Sequence, residues 1–122
     1  MNKIVKLFIT SISAITLALV SFTSSFAKVD GEYIVLGSAI SLTGKYSSNG
    51  VHTQNGYNMA VDRINKMGGV EVQGKKYKFE IIYYDDESNP KRAAQLAERL
   101  IKQDGVHYML GPYSSGLTKA IA

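Results

Sequence analysis

Tyr33-Ile34-Val35-Leu36-Gly37-Ser38-Ala39-Ile40 opens the part of the sequence that decides the fold, and Thr53 to Gly69 and Tyr77 to Tyr84 complete it. The first run is short and rich in β-branched and apolar residues, as suits a strand buried on both faces. From about Thr53 the period becomes helical. Tyr57, Ala60, Val61, Ile64 and Met67 fall at i, i+3, i+4, i+7 and i+10, and Gly68-Gly69 supplies the stop. Tyr77-Lys78-Phe79-Glu80-Ile81-Ile82-Tyr83-Tyr84 then starts with alternation and ends continuously apolar, like a strand entering a core. Strand, helix, strand is a βαβ unit, and it calls for parallel pairing through a right-handed crossover.

Outward from that unit, Val70 to Lys76 with Gln73-Gly74 reads as a polar turn or β-excursion. Asn89 is a good N-cap and Pro90 fits the first helical position, so a second helix runs to about Gln103. Its apolar stripe is Ala93, Leu96, Ala97, Leu100 and Ile101, and Gly105 ends it. A brief third strand, Val106 to Leu110, leads through Gly111-Pro112-Tyr113 to Ser114 or Ser115, either of which can cap a third helix. The fold class is therefore α/β, a parallel sheet of βαβ units. Three strands with two and a half helices do not cover both faces of such a sheet, so the chain reads as the front part of a longer one.

Residues 1–27 read differently. A basic start (Lys3, Lys6), an apolar core from Leu7 to Val20 and the small-residue end Ser25-Phe26-Ala27 form a secretory signal, with cleavage expected before Lys28. The apolar core breaks at Ser21, short of the ~20 residues a membrane-spanning helix needs, so stable membrane insertion is not expected. The mature chain is then 28–122. It holds 12 basic and 10 acidic residues in mixed order, a net +2, which is no footprint for nucleic acid. There is no Cys anywhere, so neither a disulfide nor a lipid-modified cysteine after the cleavage site is available. Export without an anchor points to the periplasm.

Ligands of an open parallel sheet bind outside the carboxyl ends of its strands. The loops there are Ser41 to Gly50, Asp85 to Asn89 and Gly111 to Ser115, all polar. Gly44-Lys45 lacks the rest of a P-loop: Ala39 stands where a Gly is needed and Tyr46 where a Ser or Thr should bind magnesium. Asp85-Asp86-Glu87 resembles a cation pocket, but acids ahead of a helix also simply favour its dipole, and that simpler reading is preferred. His52 and His107 lie in different elements without a supporting carboxylate pair, so neither a metal nor another cofactor is expected. Tyr57, Tyr77, Tyr83 and Tyr108 read as core or sheet-face residues, whereas Tyr46 and Tyr113 sit in loops where a ring can meet a ligand. No nucleophile, acid–base pair or metal set asks for catalysis.

Four stretches in order carry a family likeness: Ile34-Val35-Leu36-Gly37 through Ser41-Leu42-Thr43-Gly44 and Gly50; Ile64-Asn65-Lys66-Met67-Gly68-Gly69; Tyr84 to Pro90; and Leu110-Gly111-Pro112-Tyr113-Ser114-Ser115-Gly116. Together they resemble the N-terminal portion of a branched-chain amino-acid-type substrate-binding protein of an ABC transporter. The resemblance implies a partial N-terminal lobe of the type I periplasmic binding protein fold. It further implies solute capture between two lobes without catalysis, an amino acid or small amide as ligand, and ABC permease subunits as partners. Carried over by position, Ser115 receives the ligand's α-carboxylate and Tyr113 and Ser114 form the adjacent wall. Asn49 stands where several relatives have an aromatic that touches the ligand side chain, a departure from leucine-like specificity, and Tyr46 is placed to supply a ring instead. Ser88 and Ser114 stand where some relatives have a disulfide. A sensory ectodomain of the same fold is the alternative reading. An exported α/β enzyme is the more distant one.

Overall fold

The computed structural model describes residues 29, 30 and 32–122. The expected signal segment, 1–27, lies outside the described residues. In chain order the elements are β1 (Val29–Asp30), β2 (Tyr33–Ile40), α1 (Ser47–Lys66), β3 (Val70–Val72), β4 (Lys75–Asp85), α2 (Pro90–Lys102), β5 (Tyr108–Met109) and α3 (Ser115–Ile121).

The parallel core is β4-β2-β5. Strand β2 pairs with β4 from Tyr33↔Lys78 to Ile40↔Asp85, and its other edge takes β5 at Leu36↔Tyr108 and Gly37↔Met109. The first crossover thus moves the chain to one side of β2 and the second returns it across to the other. Crossovers of one hand that run in opposite directions place their helices on opposite faces. The side chains agree. Ile82 and Tyr84 pack with Val35, Leu100 and Val106 on the α2 face, whereas Tyr83 points the other way and its hydroxyl donates to Asn58 of α1 at 2.9 Å.

Two antiparallel pairs make the sheet mixed rather than purely parallel. β1 pairs with the start of β2 (Val29↔Ile34), and β3 folds back on β4 (Val70↔Tyr77), the expected excursion. Its turn is Gln73-Gly74 with φ of 52° and 78°, both left-handed, the signature of a two-residue hairpin. Beyond β3 the outer edge of β4 is met by Asn65, whose side-chain amide donates to Phe79 O and accepts from Phe79 N, each at 2.8 Å. One side chain of α1 thereby pairs with a strand edge as a neighbouring strand would.

Three expectations change. Helix α1 begins at Ser47, not near Thr53, so Ser47 to Gly50 is helix rather than loop. Strand β5 is confined to Tyr108–Met109, because the backbone N–H of buried Val106 instead bonds back to Leu100 O at 2.9 Å. The inward stripes are also narrower: Ala93, Ala97 and Leu100 are buried and Leu96 half-buried, but Ile101 is 54% exposed. Successive helical residues turn about 100°, and seating Leu100 in the core swings its neighbour outward. On α1, Tyr57, Val61 and Ile64 are half-buried while Ala60 is exposed, and Met67, at the C-cap, is 67% exposed. Among the described residues no helix is long and apolar enough to cross a membrane.

Candidate functional site

The chain leaves β2 for α1 on one face of the sheet and β5 for α3, packed on α2, on the other. At such a switch point the ligand crevice is expected between the two loops at the strands' carboxyl ends. Its first wall is Ser41 to Tyr46 with the start of α1. Its second is Leu110 to Ser114 with the start of α3. The Tyr46 and Tyr113 rings meet across it, centroids 6.1 Å apart and tilted by 54°, within the range of a favourable aromatic pair. The Lys45 ammonium lies 4.6 Å from the centroid of the Tyr46 ring.

On the second wall, Ser114 is the N-cap of α3. Its Oγ accepts from Leu117 N at 3.2 Å, and its carbonyl accepts from Thr118 N and Thr118 Oγ1. Of the two serines able to cap, the structure uses Ser114. Ser115 is the first residue of α3 and is exposed; its hydroxyl makes no hydrogen bond to another described residue. The Leu110 N–H donates to Gly37 O at 2.8 Å and ties the loop's start to β2. Tyr57 Oη of α1 donates to Gly111 O at 2.9 Å.

The first wall is held from the acidic loop behind it. Asp85 Oδ1 accepts from Leu42 N at 2.9 Å and Thr43 N at 3.2 Å, and its Oδ2 from Thr43 Oγ1 at 2.7 Å. Asp86 is fully buried and accepts from Ser41 Oγ at 2.6 Å and Ser88 N at 2.7 Å. Ser88 Oγ donates to Thr43 O at 2.8 Å and accepts from Tyr46 N at 3.0 Å. The Asp85-Asp86-Glu87 run is thus a staple between two loops. Its carboxylates and Ser88 occupy the N–H groups of Leu42, Thr43 and Tyr46, so this loop cannot offer those donors to a phosphate. Among the described residues no group of three His, Cys, Asp or Glu side chains is placed to hold a metal.

Electrostatics follow from these partners. Burial pushes the Asp85 carboxyl up, but hydrogen bonds from Thr43, Glu87 and Leu42 outweigh it and hold the group below its ordinary value. Burial raises the Tyr57 and Tyr83 hydroxyls, and the Tyr57 hydroxyl adds to the effect on Tyr83. Both remain protonated donors at neutral pH.

The structure therefore brings Tyr46 and Tyr113 into contact and sets Ser114 and Ser115 at one turn. Asn49 is exposed in the first turn of α1, where its carbonyl accepts from Thr53 Oγ1. It makes no hydrogen bond to the tyrosine pair. The reading of the sequence missed Tyr57, Asp85 and Ser88 as residues that shape the crevice. Their partners lie 42 to 54 residues away, and no local pattern announces them.

Residues 34–122 match the family model described as periplasmic binding protein. The chain is 34% identical over 93 residues to a Leu/Ile/Val-binding protein of Rhizobium johnstonii, covering 76% of this chain and 24% of that protein. It is 34% identical over 113 residues to an amino acid binding protein of Pseudomonas aeruginosa, covering 93% of this chain and 28% of that one. The branched-chain amino acid transporter substrate-binding protein LivJ of Streptococcus pneumoniae, solved with isoleucine, superposes with a TM-score of 0.64 at 32% identity. That superposition covers 71% of this chain and 24% of LivJ. The chain thus spans about a quarter of the length of the relatives it matches. With the family model matching residues 34–122, nearly all the described chain, this chain belongs to the periplasmic binding protein family.

Proposed function

We propose that these residues, both walls of the crevice included, form one lobe's face of the ligand site in an extracytoplasmic solute-capture protein of an ABC importer. The ligand is an amino acid, branched-chain or related, or a small amide, bound between two lobes without chemical change and handed to membrane permease subunits. Residues 1–27 serve as a cleaved export signal, and the site of action is the periplasm.

The observation that carries the reading is the switch of strand order, where Tyr46 and Tyr113 meet and where Ser115, two residues on, is exposed with its hydroxyl bonded to no other described residue. Ser115 Oγ and the N–H groups of Ser115 and Gly116, which the Ser114 cap does not use, are donors suited to an α-carboxylate. Tyr113 and Ser114 line the adjacent wall, and Tyr46 offers a ring to the ligand's side chain. Asn49, polar and exposed, shifts the preference away from a purely aliphatic ligand. The likeness to proteins named for binding leucine, isoleucine and valine supports the ligand class.

Titration calorimetry of the intact protein against a panel of amino acids and short amides tests the proposal. Binding should be stoichiometric with at least one of them, and Ser115→Ala should weaken it by roughly one to two orders of magnitude, the worth of a hydrogen bond to a charged group. Unaltered affinity in Ser115→Ala would remove this serine from the site. Absence of binding across the panel would remove the ligand class.

A further inference from the structure

We infer that Tyr57 is a positioning residue for the crevice, setting the place of the Gly111–Ser114 wall through its hydrogen bond to the Gly111 carbonyl. The inference rests on the reading of the crevice as the ligand site, and it adds a residue from the middle of α1, outside both loops of the crevice.

The second wall has little else to lean on at that point. Its start is fixed by the bond from Leu110 N to Gly37 O, and its end by the Ser114 cap on α3. Between them Gly111 is exposed, and a Cβ built there would meet nothing within 4 Å. The loop is therefore not packed at Gly111, and the Tyr57 hydroxyl, at 2.9 Å, is the lateral hold. The ring contact between Tyr46 and Tyr113 lies further along the same loop.

Tyr57 has a firm base from which to act. Helix α1 is pinned to the sheet by the paired bonds between Asn65 and Phe79 and by Tyr83 Oη donating to Asn58 Oδ1. The helix thus carries the rigidity of β4 to a loop that follows β5, bridging strands on opposite sides of β2. A wall held this way is pre-formed before the ligand arrives, and pre-forming it removes an ordering cost from binding. Without the hydroxyl the wall must be ordered by the ligand, and affinity falls although no ligand contact has been removed.

Tyr57→Phe keeps the ring and deletes only the hydroxyl. Tyr84→Phe is the matched control: its hydroxyl donates to Asp104 Oδ2 at 3.1 Å on the other face of the sheet, away from the crevice. In the intact protein, calorimetry with the best-bound amino acid should show roughly three- to tenfold weaker binding for Tyr57→Phe and no change for Tyr84→Phe. Backbone amide exchange without ligand should accelerate at Tyr113 to Gly116 in Tyr57→Phe alone. A purely structural role would lower the melting temperature of both variants and leave both affinities intact, which overturns the inference. Equal loss of affinity in the two variants overturns it too. If the wild type binds no amino acid, the proposed ligand class fails, and exchange at Tyr113 to Gly116 decides the role of Tyr57: unchanged rates in Tyr57→Phe sink it.

Discussion

Asp85 and Asp86 stand side by side and do different work. Asp86 is sealed inside, with one carboxylate oxygen shared between Ser41 and Ser88 and the other without a partner among the described residues. Asp85 stands at the surface end of the strand and gathers the N–H groups of Leu42 and Thr43, 43 and 42 residues earlier. Its hydrogen bonds hold its carboxyl below the ordinary value, so the unfolded chain binds the proton more readily than the folded one. Stability should then be fully present above the unfolded pKa, near 4, and be lost as pH falls through the lower folded value. Thermal melts between pH 6 and pH 2 measure this, and Asp85→Asn should flatten the acid limb. A variant whose limb is as steep as the wild type's would assign the acid sensitivity to other carboxylates. The acids were legible as residues ahead of a helix, but their work as a staple was not, since composition does not reveal which distant amides a carboxylate will meet.

At the scale of elements, the start of α1 shows where local reading stops. Ser47-Ser48-Asn49-Gly50 has the composition of a loop, and the N-cap residue Tyr46 offers no capping side chain. The helix nevertheless starts there because an orphan N–H of its first turn is satisfied from another loop, Tyr46 N donating to Ser88 Oγ. By contrast the start of α2 was legible to the residue, because its cap is local: Asn89 accepts from Arg92 N and Pro90 follows. The early start of α1 brings Gly50 against the first loop so closely that a Cβ there would fall on the Ser41 carbonyl. Gly56, two turns on, has open space around it. Gly50→Ala should therefore force the helix off the loop and cost more than about 2 kcal/mol, as overpacking against backbone does. Gly56→Ala should gain about 0.5–1 kcal/mol from helix propensity alone. Urea unfolding of the two variants checks the pair, and equal effects of one sign would show that the contact at Gly50 relaxes freely.

For the whole molecule, the α/β class with parallel βαβ units was legible because periodicity and turn residues mark each strand and helix. The order β4-β2-β5 was not, because right-handed crossovers alone do not say on which side of β2 the third strand pairs. The added antiparallel pairs were legible only in part: β1 is two residues long, too short for any pattern to announce. The same topology sets what these residues can do with a ligand by themselves. They offer the two walls of the crevice, each a loop and a helix start, as one lobe's face of the site, and Tyr113 is still 48% exposed. Sites that hold small molecules tightly bury most of the ligand's surface, roughly 70–90% of it. On the proposed reading one lobe's face would provide a carboxylate subsite and a ring, and would leave the ligand's far side in water. Residues 28–122 alone should therefore bind an amino acid only in the millimolar range, where a few hydrogen bonds barely exceed the cost of association. Nuclear magnetic resonance titration of that segment should move the amides of Lys45 to Asn49 and of Tyr113 to Gly116 at high ligand concentration, with slower or absent changes elsewhere. Micromolar binding by this segment would mean that the crevice closes over its ligand without a second lobe, and the two-lobed mode of capture would have to be given up for this protein.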